Sequence, residues 1–277
     1  MDIFLKIDEE LLSKDNRIIH QIWFGTIPNK SKAKKAYEKL KIYRESWDKH
    51  NPSWFRMEWN KKNCFNLVKQ FYPEHLEMFN NYDFEIQRCD TIRYMILHRY
   101  GGWYADMDYY CNRPLDEAMA VYKNNIYLVE TPNNTSFHKK YASNSLMYSV
   151  RNHSFWRKLF IELEINKESN YLYNRHLKIM FTTGPGILNT TYHQNKYKFK
   201  IGILPYKLFH PYGLNDDKLS LTKNPKVYTI HLGKGSWEDN GSNFFIFLYK
   251  EWRLILTTIL FFIVLLIFNK YYKYNKY

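Results

Sequence analysis

The chain has 277 residues, a formal net charge of +14 and three cysteines, and this balance limits the class of protein it can be. Hydrophobic residues make up 45% of the sequence and charged residues 25%, as in a chain that buries one sizeable core. The basic balance favours anionic partners, such as phosphate-bearing substrates or anionic lipids. An odd number of cysteines without a C-x-x-C pair excludes a disulfide framework and a cysteine zinc site.

The densest basic cluster is the segment "NKSKAKKAYEKLK", residues 29–41. Its lysines follow helical spacing, without the aromatic interleaving that is typical of nucleic-acid-binding segments. We therefore predict a solvated helix face here and no nucleic-acid partner. The other lysines are spread along the chain, so the net charge alone does not identify a substrate.

Predicted strands and helices alternate along most of the chain. Strands are predicted at 17–25, 53–60, 125–130, 201–205 and 226–233, with a turn followed by a strand at 101–108. Helices are predicted at 31–47, 62–71, 84–99, 114–123 and 152–166. This alternation predicts an α/β domain with a mainly parallel sheet. We find no repeats and no long linker, so we divide the chain into a main domain (1–243) and a C-terminal membrane segment with a basic tail (244–277).

The C-terminal run "LILTTILFFIVLLIF", residues 254–268, carries no charge. As a helix it would be about 22 Å long, which is short for a hydrocarbon core of about 30 Å. Trp252 and Arg253 before the run, and residues 271–273 after it, can extend it by anchoring at the membrane interface. We predict a single membrane span here, with a buried helix and an interfacial helix as the alternatives.

Two arguments about membrane orientation conflict. Lys270, Lys273 and Lys276 favour a cytoplasmic tail by the positive-inside bias. The N-terminal segment 1–17 is too charged for a signal peptide, which leaves the main domain without an evident route across a membrane. Three lysines are a weak bias, so we expect the main domain on the cytosolic side.

The stretch "HRYGGWYADMDYY", residues 98–110, places two aspartates in an aromatic run that is typical of a buried strand. In a strand, Tyr104, Asp106 and Asp108 would face one side, with the two carboxylates about 7 Å apart. That distance predicts one direct ligand to a small cation, with the other carboxylate acting through water or binding a hydroxyl. Oxygen ligands favour Mg²⁺ or Mn²⁺, which usually share their coordination with substrate phosphates.

The helix before this strand carries Asp90 and Arg93, three residues apart and therefore on one face. One interpretation is a local surface ion pair, which contributes a few tenths of a kcal/mol. The other is a functional pair, because the helix leads directly into the acidic segment 101–108. Consecutive elements would then bring a guanidinium and three carboxylates to one site.

The segment "CDTIRYMILHRYGGWYADMD", residues 89–108, resembles the DXD-containing sugar-binding segment of glycosyltransferase family 32. This family includes the yeast initiating α-1,6-mannosyltransferase and the catalytic subunits of mannosyl-inositolphosphorylceramide synthase. Residues 18–28, "IIHQIWFGTIP", resemble the first strand of the family, and residues 229–237, "TIHLGKGSW", resemble its closing segment. Weaker similarities are Asn144 and "TTGPG" at 182–186.

The resemblance covers roughly residues 17–240 and implies a fold, a donor and a cofactor. The implied fold is a GT-A-type, Rossmann-like nucleotide-sugar-binding domain, here followed by a C-terminal apolar helix. The implied chemistry is transfer of a sugar from a nucleotide-sugar donor with retention at the anomeric carbon, assisted by Mn²⁺ or Mg²⁺. The basic surface and the basic tail favour a glycan or a lipid as the acceptor.

The resemblance also implies roles for the charged residues. Asp108 would ligate the metal directly, and Asp106 would act through water while contacting ribose or sugar hydroxyls. Asp90 and Arg93 would hydrogen-bond the transferred sugar. His231 is a candidate further metal ligand, although "HLGKG" stands where many members of the family carry paired histidines or a histidine followed by an aromatic residue.

The donor-binding residues implied by the resemblance are mainly aromatic. They are Trp23, which would stack on the base; Tyr104, which would line the sugar pocket; Asn144; and Ser236 and Trp237, which would contact the donor phosphates. Stacking of a base on an aromatic side chain contributes about 1–3 kcal/mol.

The sequence therefore predicts a metal-dependent, retaining glycosyltransferase that moves a hexose from a GDP- or UDP-sugar to a glycan or lipid acceptor. The sequence shows no further carboxylate that stands out as a base or nucleophile, which fits front-face chemistry assisted by the leaving phosphate. Two alternatives stay open: a non-catalytic nucleotide-sugar or glycan-binding membrane protein, and a toxin-like glycosyltransferase that acts on proteins.

Overall fold

The computed structural model describes residues 3–25, 29–132, 141–169, 174–211, 222, 224–231 and 256–267. The strands in these ranges are β1 (Ile18–Ile22), β2 (Phe55–Trp59), β3 (Gly102–Ala105), β4 (Tyr109–Cys111), β5 (Ile126–Glu130), β6 (Ala142–Ser149), β7 (Gly202–Leu204) and β8 (Thr229–His231). The helices are α1 (Ile3–Leu12), α2 (Lys30–Lys39), α3 (Lys41–His50), α4 (Lys61–Phe71), α5 (Leu76–Asn81), α6 (Glu85–Tyr100), α7 (Leu115–Val121), α8 (Ser154–Asn166), α9 (Arg175–Thr182), α10 (Pro185–Phe199), α11 (Tyr206–Phe209) and α12 (256–267). A 3-10 turn, Pro73–His75, lies between α4 and α5.

Six of the strands form one sheet in the order β2-β1-β3-β6-β5-β7. β1 pairs in parallel with β2 and β3, and β5 pairs in parallel with β7. β6 lies between β3 and β5 and is antiparallel to both. β4 and β8 form a separate antiparallel pair. The predicted α/β domain is confirmed, and three of the five pairings in its main sheet are parallel.

α6 is enclosed by the rest of the domain. It contacts β1, β3 and β6 of the sheet, and α4, α8 and α9. Every residue from 90 to 98 is buried. A helix covered on all sides has no solvent face, so its polar side chains must find partners inside the protein. This enclosure decides the environment of Asp90 and Arg93.

Two glycines turn the chain from α6 into β3. Gly101 has φ +68° and Gly102 has φ +89°, a left-handed conformation that glycine adopts without a steric cost. The carbonyl of Gly101 accepts a hydrogen bond from Nε2 of His20 (2.9 Å), whose Nδ1 accepts from the indole N–H of Trp59 (3.1 Å). Burial lowers the pKa of His20 to about 3, so the ring is neutral and joins β1, β2 and the turn.

Several sequence expectations need correction. The strand predicted at 101–108 ends at Ala105, and the chain then turns before β4. The helix predicted at 31–47 is two helices, α2 and α3, which meet at Leu40. β6 was not predicted, because its sequence "ASNSLMYS" is rich in residues that do not favour strands, although seven of its eight residues are buried. α1, α9 and α10 were also missed.

The C-terminal apolar run differs from its prediction. Among the residues that the structure describes, no helix has both the length and the apolar character needed to cross a membrane. Residues 256–267 form α12, and all twelve are exposed, so the alternative of a buried helix is wrong for them.

We predict that Gly102→Ala destabilises the fold more than Gly25→Ala does. A Cβ at Gly102 would lie 2.4 Å from the carbonyl oxygen of Ile18, and the backbone there has φ +89°. We expect a loss of roughly 1–3 kcal/mol in the free energy of unfolding from the backbone strain, and a further loss from the steric conflict. Urea denaturation of both variants measures the difference.

Gly25 is a matched control, because its φ is +61° but the nearest atom that a Cβ would meet is 3.4 Å away. Equal losses of stability in the two variants would show that close contact with β1 does not constrain position 102.

Candidate active site

The two aspartates of the acidic segment lie in a turn. The backbone N–H of Asp106 donates to the carbonyl of Ser145 on β6 (2.9 Å), and the N–H of Tyr109 donates back to the carbonyl of Asp106 (3.1 Å). This turn folds Asp108 towards Asp106, whereas an extended strand would hold the two carboxylates about 7 Å apart. The predicted spacing is therefore wrong, and the two side chains approach closely enough to face one cation.

His231 completes a group of three potential metal ligands. β8 pairs with β4 so that His231 lies opposite Tyr109, and its Nε2 is 3.1 Å from Oδ1 of Asp108. One ligand atom from each of Asp106, Asp108 and His231 lies within 4.8 Å of the other two. Two carboxylates and an imidazole form a donor set that suits a divalent cation. The geometry allows all three to reach the same ion, including Asp106, for which we expected an indirect contact.

Arg93 lies at the centre of the buried part of the site. Its guanidinium is 3.1 Å from Oδ1 of Asp90 and 3.2 Å from Oδ1 of Asp106, and it donates to the carbonyl of Asn144 at 2.9 Å. It also lies over the ring of Tyr104, 4.8 Å from its centroid. The Arg93 and Asp90 side chains are 5% and 6% exposed, so the surface ion pair interpretation is wrong.

Asp90 has further hydrogen-bond donors besides Arg93. Nδ2 of Asn144 donates to its Oδ1 (2.9 Å), and the hydroxyl of Thr183 donates to its Oδ2 (3.3 Å). Burial raises the pKa of Asp90 to about 6, and the charge of Arg93 partly offsets this effect. Burial acts to lower the pKa of Arg93, but Tyr104, Asp106 and Asp90 raise it above its usual range. The guanidinium therefore remains charged beside both carboxylates.

Tyr104 connects the Asp90–Arg93 pair to the three candidate metal ligands. It is the third residue of β3, and its buried hydroxyl donates to Oδ1 of Asp106 at 2.7 Å. Burial raises the pKa of Asp106 as well, with Arg93 acting in the opposite direction. One oxygen of Asp106 thus accepts a hydrogen bond from Tyr104 and forms an ion pair with Arg93. Asp106 stands between the Asp90–Arg93 pair and the other two candidate metal ligands, Asp108 and His231.

Trp23 lies in a separate cleft. The chain enters this cleft directly after β1, and β1 runs parallel to β3, so Trp23 and Asp106 follow neighbouring strands at the same edge of the sheet. The ring of Trp23 is 5.7 Å from that of Tyr37 on α2. The cleft has a volume of about 420 Å³ and is lined by Trp23, Ala33, Lys34, Tyr37, Glu58, Trp59 and Asn60.

The structure brings together most of the residues that the sequence singled out. They are Asp90, Arg93, Tyr104, Asp106, Asp108, Asn144 and His231. Ser236 and Trp237 lie outside the described residues. The sequence analysis missed Thr183 and Tyr94: the hydroxyl of Tyr94 donates to the carbonyl of Thr183 (2.9 Å) and accepts from Asn144 (3.0 Å). Thr183 belongs to the "TTGPG" segment, which is the signal that could have identified it.

Comparisons with known proteins find sequence similarity to glycosyltransferases. Residues 37–126 match the family described as "Glycosyltransferase sugar-binding region containing DXD motif". Inositol phosphoceramide mannosyltransferase 2 of Schizosaccharomyces pombe is 28% identical over 242 residues, which cover 87% of this chain and 63% of that protein. Mannosyl phosphorylinositol ceramide synthase CSH1 of Saccharomyces cerevisiae is 33% identical over 150 residues, which cover 53% of this chain and 36% of that protein.

A comparison with solved structures gives a more distant likeness. The ligand-free glycosyltransferase domain from the YGT toxin matches with a TM-score of 0.48 and 8% identity. The match covers 68% of this chain and 79% of that one, and it is too remote to support an argument.

The chain spans less than two thirds of the length of the two yeast proteins above. The matches in sequence confirm the predicted resemblance.

We predict that Asp108→Asn abolishes binding of Mn²⁺ while leaving the fold intact. An amide is a weaker ligand for a hard cation than a carboxylate, and Asp108 lies on a turn outside the main sheet. The affinity for Mn²⁺ is measured by titrating the purified protein with Mn²⁺ and monitoring the free ion by electron paramagnetic resonance. Circular dichroism checks the fold, and wild-type affinity in the variant would contradict the assignment of Asp108 as a ligand.

Proposed function

We propose that this chain, a glycosyltransferase that carries the DXD sugar-binding region of family 32, transfers a hexose from a nucleotide-sugar donor to a lipid or glycan acceptor. The observation that carries the proposal is the convergence of two carboxylates and His231 beside the buried Asp90–Arg93 pair. A polar, preorganised group of this kind, at the edge of a parallel-rich sheet, is where nucleotide-binding α/β domains hold their ligands. We propose a GT-A-type fold on the same grounds.

We propose Mn²⁺ or Mg²⁺ as the cofactor, held by Asp106, Asp108 and His231. The two carboxylates suit either ion, and of the two Mn²⁺ is the softer and accepts an imidazole ligand more readily than Mg²⁺ does. Negative charge that develops on the leaving nucleoside diphosphate would be neutralised by the cation held there. Asp108 and His231 would fix the position of the diphosphate through that ion, and Asp106 would connect it to Tyr104 and Arg93.

We propose that the transferred sugar lies against the Asp90–Arg93 side of the site. Asp90 and Asp106 both pair with Arg93, and Asp108 lies against His231. These contacts engage the three carboxylates, which supports a front-face reaction. In that reaction the acceptor oxygen bonds to the anomeric carbon while the bond between the anomeric carbon and the phosphate oxygen breaks. The acceptor proton passes to the same phosphate oxygen. The proposed stereochemical outcome is retention.

We propose mannose as the sugar and an inositol-phosphate-bearing lipid as the acceptor. The names of the two similar yeast proteins specify mannosyl transfer to inositol phosphoceramide and synthesis of mannosyl phosphorylinositol ceramide. The donor base would stack on Trp23 in the cleft beside α2. The net charge of +14 supports an anionic acceptor at a membrane surface.

The test is incubation of the purified protein with UDP- and GDP-sugars, with Mn²⁺ or with EDTA, and with inositol phosphoceramide present or absent. We expect Mn²⁺-dependent transfer, and slower donor hydrolysis without acceptor. A non-catalytic binding protein would retain nucleotide binding but would show neither reaction with any donor. A toxin-like enzyme would label protein acceptors and leave the lipid unchanged.

We predict that Arg93→Lys strongly reduces the transfer rate while the affinity for the nucleoside diphosphate stays close to wild type. Lysine keeps the charge but loses the planar fork that holds Asp90, Asp106 and the carbonyl of Asn144 together. Initial rates and nucleotide titrations separate the two effects, after a thermal melt has checked the fold.

Trp23→Ala is the matched comparison, because it should weaken nucleotide binding by about 1–3 kcal/mol through the loss of stacking. An unchanged transfer rate in Arg93→Lys would mean that the guanidinium fork has no part in holding the reacting groups.

We propose that residues 244–277 attach the catalytic domain, 1–243, to a membrane, with that domain on the cytosolic side. The exposed apolar side chains of α12 support this proposal.

We predict that deletion of 244–277 leaves Mn²⁺-dependent donor hydrolysis intact and abolishes co-sedimentation with phosphatidylcholine–phosphatidylserine vesicles. Equal sedimentation of both forms would contradict the role of this segment.

A further inference from the structure

His210 extends the metal-binding group by one residue. It directly follows α11 and is 5% exposed. Its Nε2 is 3.0 Å from Nδ1 of His231, while Nε2 of His231 is 3.1 Å from Oδ1 of Asp108. The three side chains form a continuous hydrogen-bonded row from the turn after β3 to the end of α11. Sequence reasoning did not identify His210, which lies 21 positions before His231 without a metal-ligand spacing.

Backbone hydrogen bonds hold His210 beside β8. Its own N–H donates to the carbonyl of Tyr206 (2.7 Å), which closes α11. The N–H of Tyr228 donates to the carbonyl of Leu208 (2.8 Å), and the hydroxyl of Thr229 donates to the carbonyl of Phe209 (2.6 Å). The corner that carries His210 and the strand that carries His231 are therefore fixed to each other.

Tyr109 restrains the ring of His231 from its face. The two rings are stacked, with centroids 4.4 Å apart and an interplanar angle of 7°. The hydroxyl of Tyr109 is 3.0 Å from that of Ser145, whose carbonyl accepts the N–H of Asp106. Stacking sets the plane of the His231 ring, and the contact with His210 sets its rotation within that plane.

We infer that His210 is a positioning residue that holds His231 in the tautomer able to bind the cation. This inference rests on the metal site of the proposed function. A neutral imidazole carries one N–H; when Nε2 offers its lone pair to a cation, the proton is on Nδ1 and needs an acceptor. Nε2 of His210 is that acceptor. Hydrogen bonds of this kind to metal-binding histidines typically change metal affinity by about 10–100-fold.

The alternative role for His210 is to fill space in the core. Its ring contacts those of Tyr109 (centroids 5.9 Å apart) and His231 (4.8 Å). Two variants of matched length separate the roles. His210→Gln keeps a polar group that can accept from Nδ1 of His231, whereas His210→Met keeps the length but offers no comparable acceptor.

The experiment measures Mn²⁺ binding by the purified 277-residue chain, without nucleotide, by electron paramagnetic resonance. We expect His210→Met to bind Mn²⁺ about 10–100-fold more weakly than wild type, and His210→Gln to bind within about threefold of it. Pulsed electron paramagnetic resonance should show nitrogen coupling to Mn²⁺ in wild type and His210→Gln, and none in His231→Ala. His193→Gln, on α10 beside Tyr192, is the control.

Each outcome decides the inference. Wild-type affinity in His210→Met overturns it, and equal weakening in His210→Gln and His210→Met also overturns it, since space filling would then explain the loss. If His210→Met melts at a lower temperature than wild type, His210→Phe replaces it in the experiment, because Phe keeps an aromatic ring but offers no acceptor. The expected result is again Mn²⁺ binding about 10–100-fold weaker than wild type. Absence of Mn²⁺ binding in wild type would instead refute the metal site of the proposed function, and the role of His210 with it.

Discussion

The buried guanidinium of Arg93 is the interaction on which both the fold and the site depend. It pairs with Asp90 within α6, and it joins that helix to the turn after β3 through Asp106 and to β6 through the carbonyl of Asn144. Removing one partner of a buried ion pair typically costs 3–5 kcal/mol, because a charge is left without compensation in a poorly polarisable interior. Loss of Arg93 would leave the buried carboxylate of Asp90 and the half-buried carboxylate of Asp106 without that charge. The same contacts orient Asp106, so the packing of α6 and the geometry of the three candidate metal ligands are not independent.

The enclosure of α6 makes this arrangement possible. A helix with one solvent face would allow Arg93 to extend into water, where an ion pair contributes about 0–1 kcal/mol. Here the sheet and three helices cover α6, and the side chain must satisfy its donors inside the protein. Gly101 and Gly102 then reverse the chain within two residues. The short connection keeps the Arg93 cluster and the acidic turn close together.

The local part of the site could be predicted from the sequence, because Asp90, Arg93, Asp106 and Asp108 lie within 19 consecutive residues. Their relative positions could not. The alternation of "WYADMD" is that of a strand, and the N–H of Asp106 still follows the β3–β6 register in its bond to the carbonyl of Ser145. Only the bond from the N–H of Tyr109 to the carbonyl of Asp106 shows that the chain then turns. Ser145 belongs to β6, whose serines and asparagine gave no strand signal.

Contacts between distant segments were harder still to predict. His231 was identified through a motif, whereas His210 is brought to it by the pairing of β8 with β4 and by the bonds between β8 and the end of α11. Neither histidine has a spacing that predicts the contact. Asn144 was noted as a weak similarity, and its double role as donor to Asp90 and acceptor from Arg93 follows from tertiary structure alone.

The charge balance of the site connects these features to the chemistry. Three carboxylates and one guanidinium leave a formal charge of −2 when His231 is neutral. A divalent cation would bring this group to neutrality, so the charge of a nucleoside diphosphate would need further cationic groups nearby. Lys34 lines the Trp23 cleft, within a helix that carries five exposed lysines. The lysines of α2, which the sequence indicated as a solvated face, are therefore suited to attract the anionic donor of the proposed function to the cleft.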